Sequence, residues 1–178
     1  MLPREHSDSC RLPEKPLRGC FGIAESVIEA LERWLPTYRD PDGEHEGMAL
    51  LCGIEWPNIT MFMTAIFPPA ETRPGFVRCS EQEFARASLA ARRFRLGVLA
   101  QVHTHPGSVT LHSVGDDDMV RPRYEGMISI VVPHYARFGL RPLHGLGVHQ
   151  LQDGIWVRID AASIRERIIL VPGGVDLR

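Results

Sequence analysis

Hydrophobic positions along the chain repeat with two periods, and the switches between them lay out the elements. From Ala24 to Leu35 the apolar residues Val27, Ile28, Leu31, Trp34 and Leu35 fall on one stripe and Glu29, Glu32 and Arg33 fall elsewhere, which predicts an amphipathic helix stopped by Pro36. Tyr38 to Gly43 is turn-rich. Gly47 to Ile54 and Ile59 to Phe67 are apolar runs of strand length, joined as a hairpin through Trp56-Pro57-Asn58. Pro68 to Gly75 reads as a proline-stiffened loop, and Ser80-Glu-Gln-Glu83 as a capping box that opens a second helix, reaching about Phe94. Leu96 to Val102, short, apolar and bounded by turn residues, predicts a buried strand. Met127 to Val132, Leu146 to Leu151 and Ile155 to Ile159 predict three more, the last two joined by the turn Gln152-Asp153-Gly154. The order implies an α/β or α+β domain: a mixed curved sheet packed by two or three helices. Residues 1–22, with Pro3, Pro13 and Pro16 among charged residues, read as a flexible leader, and 23–178 as one domain.

The chemistry gathers behind the Leu96 to Val102 strand, in Gln101-Val-His-Thr-His-Pro-Gly-Ser-Val-Thr-Leu-His-Ser-Val-Gly-Asp116. Side chains two apart on a strand share a face, so His103 and His105 project together while Thr104 turns away, and Pro106-Gly107 ends the strand. Ser113 and Asp116 resemble a capping box in a segment that could open a helix, which would put both on one face. Two imidazoles and a carboxylate leave a fourth tetrahedral position for water, the pattern of a catalytic rather than a structural zinc site. His112 is off this pattern and reads as a surface histidine, the alternative being a substrate contact. Asp117 and Asp118 read as a solvated first turn. His134, His144 and His149 are not spaced as a second ligand set.

His-x-His-Pro, with seven residues between the second histidine and Ser-x-x-Asp, resembles the signature of the JAMM (MPN-plus, JAB) zinc metalloproteases. That family also carries a glutamate on an earlier strand, in a Glu-x-x-x-x-Leu-x-Gly run matched by Glu46 to Gly53. Glu44 shares the strand face, so parity leaves both acids open, and the spacing to Gly53 favours Glu46. The resemblance covers roughly residues 24 to 160 and implies an MPN/JAB-like, cytidine-deaminase-like fold. It also assigns roles. Zinc on His103, His105 and Asp116 would acidify a water, Glu46 would carry its proton to the leaving amine, and Ser113 would hydrogen-bond the oxyanion.

The implied reaction is hydrolysis of isopeptide or peptide bonds after the C-terminal tail of a ubiquitin-like protein, either deconjugation or precursor processing. Short single-domain relatives belong to bacterial ubiquitin-like conjugation systems, some in antiphage defence, so the implied partners are the modifier, its conjugates and the cognate activating and conjugating enzymes. Residues 68–79 match, by position, the region that helps to bind the substrate tail in the family. Other readings are processing of a sulfur-carrier protein, a phage-tail-type endopeptidase and, from another class, a non-catalytic MPN scaffold; such scaffolds usually lack the ligands. A net charge of -2 with interspersed signs gives no basic stripe for nucleic acid, and the longest apolar runs are too short to span a membrane. Four cysteines without Cys-x-x-Cys spacing fit a reducing cytoplasm.

Overall fold

The computed structural model describes residues 14–119 and 122–173. Strand β1 (Phe21–Ala24) leads into helix α1 (Glu25–Trp34), whose stripe buries Val27, Ile28 and Leu31. Each such side chain contributes about 1.5–3 kcal/mol. At Pro36 the helix tightens into a 3-10 turn, Leu35–Thr37. Two short strands, β2 (Arg39–Asp40) and β3 (Gly43–Glu44), precede the long hairpin β4 (Met48–Glu55) and β5 (Thr60–Ile66). A second small hairpin follows, β6 (Glu71–Arg73) and β7 (Phe76–Arg78), turning at Gly75 with φ of 73°. This segment reads as a loop in the sequence because three-residue strands carry no measurable period.

Helix α2 (Glu81–Arg93) opens at Ser80, whose hydroxyl accepts the Glu83 N–H at 3.2 Å, and closes on Arg92 and Arg93 near its negative end. Strand β8 (Gly97–Thr104) carries the first histidine, and β9 (Ile128–Val132), β10 (Gly147–Gln152) and β11 (Ile155–Arg158) follow. Asp153 and Gly154, with φ of 56° and 80°, make the tight turn between the last two. Helix α3 (Ala161–Arg167), capped by Asp160, and strand β12 (Ile168–Val171) complete the described chain.

Eight strands form one mixed sheet in the order β11-β10-β9-β8-β4-β5-β1-β12. Strand β8 runs parallel to β9 and antiparallel to β4, near the middle of the sheet. On one face Ala49, Leu51, Ala100, Val102, Ile128, Ile130 and Val148 pack with Val27, Ile28 and Leu31 of α1 and Ile164 of α3. On the other, Met48, Leu50, Leu151 and Trp156 pack with Val77, Cys79, Ala87 and Met119. Burial on both faces is why the central strands read as unbroken apolar runs. No described helix is long and apolar enough to cross a membrane.

Three readings change. Residues 14–22 of the expected leader are part of the fold: Leu17 is buried, Lys15 bridges Ile159, and β1 lies within the sheet; residues 1–13 lie outside the described residues. Helix α3 and β12 were not expected, because each is too short for its period to show. The Ser113 to Asp116 segment opens no α-helix, only a 3-10 turn at Asp116–Asp118.

The loop from Pro106 to Gly115 lies over β10. A Cβ on Gly147 would collide with the Thr110 carbonyl oxygen, and Arg158 Nη1 donates to that oxygen at 3.1 Å and to Thr110 Oγ1 at 3.0 Å. Gly147→Ala is therefore expected to push the loop off the sheet and to cost about 1–3 kcal/mol, the usual penalty for overpacking. Chemical unfolding of the variant beside the parent chain checks it; equal stability would mean that the loop is not seated there.

Candidate metal centre

Strand β8 pairs His103 with Met48 on β4 and with Val131 on β9, so its ring rises from the middle of the sheet and is fully buried. Thr104 points the other way, and its hydroxyl accepts the Gly47 N–H at 2.9 Å. His105 lies one residue past the strand, where its N–H continues the ladder to the Val132 carbonyl at 2.9 Å. The two imidazoles meet, with their Nε2 atoms 3.1 Å apart. Nδ1 of His105 faces the Val109 carbonyl at 2.9 Å, which marks that nitrogen as the protonated one and leaves Nε2 as the ligand atom.

Asp116 arrives from the loop. Its Oδ1 lies 3.4 Å from His103 Nε2 and its Oδ2 lies 3.3 Å from His105 Nε2. The Ser113 N–H donates to Asp116 Oδ2 at 2.6 Å, and the Asp116 N–H donates to Ser113 Oγ at 3.3 Å. The reciprocal bonds of a capping box therefore form, but they aim a carboxylate and do not start a helix. Because Ser113 Oγ serves Asp116 as acceptor, its own hydrogen remains free to donate.

These three residues form a compact ligand group among the described residues. The two Nε2 atoms lie 3.1 Å apart, and each lies 3.4 or 3.3 Å from a different oxygen of Asp116, spacings close to the edge of a tetrahedron around an ion with bonds of about 2.0 Å, roughly 3.3 Å. Protonation states agree. Burial lowers the His103 pKa to about 4, so it is a neutral ligand at pH 7. Burial opposes ionisation of Asp116, but bonds from both histidines and Ser113 outweigh it and hold the carboxyl well below its usual range. Burial likewise works against protonated His105, but Asp116 beside it more than compensates and raises its pKa, so metal and proton compete there.

Glu46 sits just before β4 and is buried, at 3% exposure. Its N–H donates to the Arg73 carbonyl of β6 at 3.1 Å, and the Tyr38 ring packs against neighbouring Gly47. Burial raises its pKa to about 7, although the charge of His105 pulls the other way, and Asp116 adds to the rise. Glu44, which parity left open, is held by Arg137 in the β2-β3 hairpin. The electrostatic neighbours of Glu46 are thus site residues, and those of Glu44 are not.

His112 departs from its expected surface place. Its side chain is 7% exposed, and it packs against His149 with ring centroids 4.1 Å apart and planes tilted by 32°. Nothing in the spacing of the motif signals this, since the loop that folds it inward has no period. Asp117 is only partly solvated and faces His112 at 3.2 Å. Cys20, Cys52 and Cys79 are free, and among the described residues no thiol joins the ligand group.

Comparison with protein-family models gave no match. Over 97 residues the chain is 33% identical to a protein of Sinorhizobium fredii named Probable metalloprotease y4jG, a match covering 52% of this chain and 59% of that protein. The chain is similar to a probable metalloprotease. The chain spans little more than half the length of that curated relative. Among solved structures it resembles the solution structure of protein DSY2949 from Desulfitobacterium hafniense, with a TM-score of 0.62 and 12% identity, covering 85% of this chain and 93% of the other. AF2198, a JAB1/MPN domain protein from Archaeoglobus fulgidus, aligns with a TM-score of 0.44 and 15% identity over 83% of this chain and 98% of that one, too loose a fit to argue from.

The purified chain is expected to bind about one divalent metal, and His103→Ala and Asp116→Ala to lose it; stoichiometric metal in either variant would refute the ligand assignment. A second expectation concerns Glu46 in the metal-free chain. Its folded pKa lies above the ordinary 4.5, so the folded state holds the extra proton, and its contribution to stability falls as pH rises from 4.5 to about 7. His103, with a lowered pKa, works oppositely over much of that range, so only a comparison with Glu46→Gln isolates the effect. The variant should gain relative stability between pH 4.5 and 8, by an amount on the order of 3 kcal/mol. Denaturant midpoints across that range test it, and parallel curves would contradict it.

Proposed function

We propose that the chain is a zinc-dependent JAMM-type peptidase that cuts after the C-terminal tail of a ubiquitin-like protein. The observation that carries this reading is the triangle of His103, His105 and Asp116, with buried Glu46 coupled to it. Zinc bound there would supply Lewis acidity and a water acidic enough to react near neutral pH. Glu46, with a pKa near 7, can accept a proton from that water and return it to the leaving amine. Ser113 can donate its free hydrogen to the oxygen that becomes negative as the carbonyl is attacked. His105 and Asp116 are fixed by backbone groups, Val109 O and Ser113 N, so the ligand set is ordered before substrate arrives.

The β6-β7 hairpin supports an extended-peptide substrate, since β6 is bonded to the Glu46 backbone through Arg73. A tail that adds a strand there would gain main-chain hydrogen bonds, and glycines at its end would leave room near the metal. Deconjugation or precursor processing in a bacterial ubiquitin-like conjugation system, including one used against phage, is the biological setting we infer. Cytoplasmic activity and contact with the cognate activating and conjugating enzymes belong to the same proposal.

Glu46→Ala is expected to retain metal and lose at least about a hundredfold in turnover, whereas Glu44→Ala stays near the parent rate. The substrate class is tested with a fusion of a ubiquitin-like protein with a glycine-ended tail to a downstream protein, with mass spectrometry of the products. Cleavage after the tail, abolished by a chelator, is the expected result. Cutting within unrelated unfolded chains while the fusion stays whole would instead indicate a general peptidase.

A further inference from the structure

Beneath the metal ligands, the same sheet face carries a row of buried polar side chains that the proposed chemistry does not use. Gln101 on β8, Ser129 on β9 and His149 on β10 stand in register across three strands. His112 drops into this row from the loop. Its Nε2 lies 2.8 Å from Ser129 Oγ and its Nδ1 lies 3.2 Å from Asp117 Oδ1. Gln101 Nε2 donates to Ser129 Oγ at 3.0 Å, so the serine's own hydrogen is free for His112 Nε2, and the proton on His112 Nδ1 goes to Asp117. The ring packs on His149 at 4.1 Å, on Trp156 at 5.1 Å and, on the metal side, against His103 at 5.9 Å.

A metal-binding histidine is ordinarily oriented by a hydrogen bond from its second ring nitrogen. His105 has one, to Val109. His103 does not: its Nδ1 is buried with no partner among the described residues. Its orientation must come from what packs against it, and besides its fellow ligand His105 at 5.0 Å the ring beside it is His112 at 5.9 Å. The same residue also grips Asp117, the neighbour of Asp116. It is therefore one side chain that touches both the strand ligand and the segment bearing the loop ligand.

Resting on the metal-centre reading, we infer that His112 is a positioning residue, which uses Ser129 as its foothold on the sheet to hold His103 and Asp116 at tetrahedral spacing. In His112→Ala, zinc affinity of the full chain, measured by competition with a chromophoric chelator, should fall about 10–100-fold. The visible absorption of the cobalt(II)-loaded chain should shift, reporting altered ligand geometry independently of activity. His112→Gln, which can still reach Ser129, should recover much of the affinity. Ser129→Ala touches no ligand and should weaken binding in the same direction, which keeps the test decisive if His112→Ala does not fold. Parent chain that binds zinc, with His112→Ala or Ser129→Ala unchanged in affinity and cobalt spectrum, would overturn this inference alone. A parent chain that takes up neither metal would overturn it together with the metal-centre reading.

Discussion

Two imidazole nitrogens 3.1 Å apart, each 3.3–3.4 Å from its own oxygen of one buried carboxylate, are the constraint on which the structure turns. Burying an ionised carboxylate costs several kcal/mol unless charge-assisted bonds compensate it. Asp116 is 7% exposed and has one backbone N–H and two imidazoles for partners. A cation at their centre satisfies all three donors together. Such a group is tolerable only if the strand and the loop that bear it are held in fixed relation.

Much of the fold serves that relation. Strand β8 is clamped between β4 and β9, and Thr104 is bonded to Gly47, which places the residue after Glu46 opposite the histidines. Loop seating depends on Gly147 and Arg158. His134, Tyr135 and Ala136 then adopt φ of 55°, 53° and 59°, a left-handed turn made without glycine. Such residues cost roughly 1–2 kcal/mol each. Their amides repay part of this by bonding the Gly107, His105 and Pro133 carbonyls, which fastens the backbone of the second ligand.

The sequence made the site legible where chemistry and period coincide. Alternation on β8 placed His103 and His105 together and Thr104 apart, and the pattern is rigid because a one-residue slip would expose the apolar face. The stripe of α1 and the cap of α2 were legible for the same reason. What escaped has no period to read. Strands β1, β6, β7 and β12 are three or four residues long, α3 makes under two turns, and the Ser113 box ends in a single 3-10 turn. His112 was hidden because its burial comes from a loop path, which the Gly147 gap and the Ser129 hydroxyl decide from the far strands. Parity left Glu44 and Glu46 both open and only the spacing to Gly53 favoured Glu46; the β2-β3 hairpin separates them by turning Glu44 to Arg137.

Two carboxylates in one site have opposite fates, and environment alone separates them. Asp116 receives hydrogen bonds from His103, His105 and Ser113, each stronger with the ionised form, so it stays charged despite burial. Glu46 is buried as well, but what dominates its titration is lost hydration, with a nearby negative charge on Asp116 adding to it. It is driven towards neutrality at a pH where Asp116 is fully ionised. An ion needs the first kind of carboxylate, and proton transfer near pH 7 needs the second. Exchanging the two would leave a neutral ligand and a base too weak to hold a proton, so the division follows from where the N–H donors are: at the loop turn, and not beside Glu46's side chain.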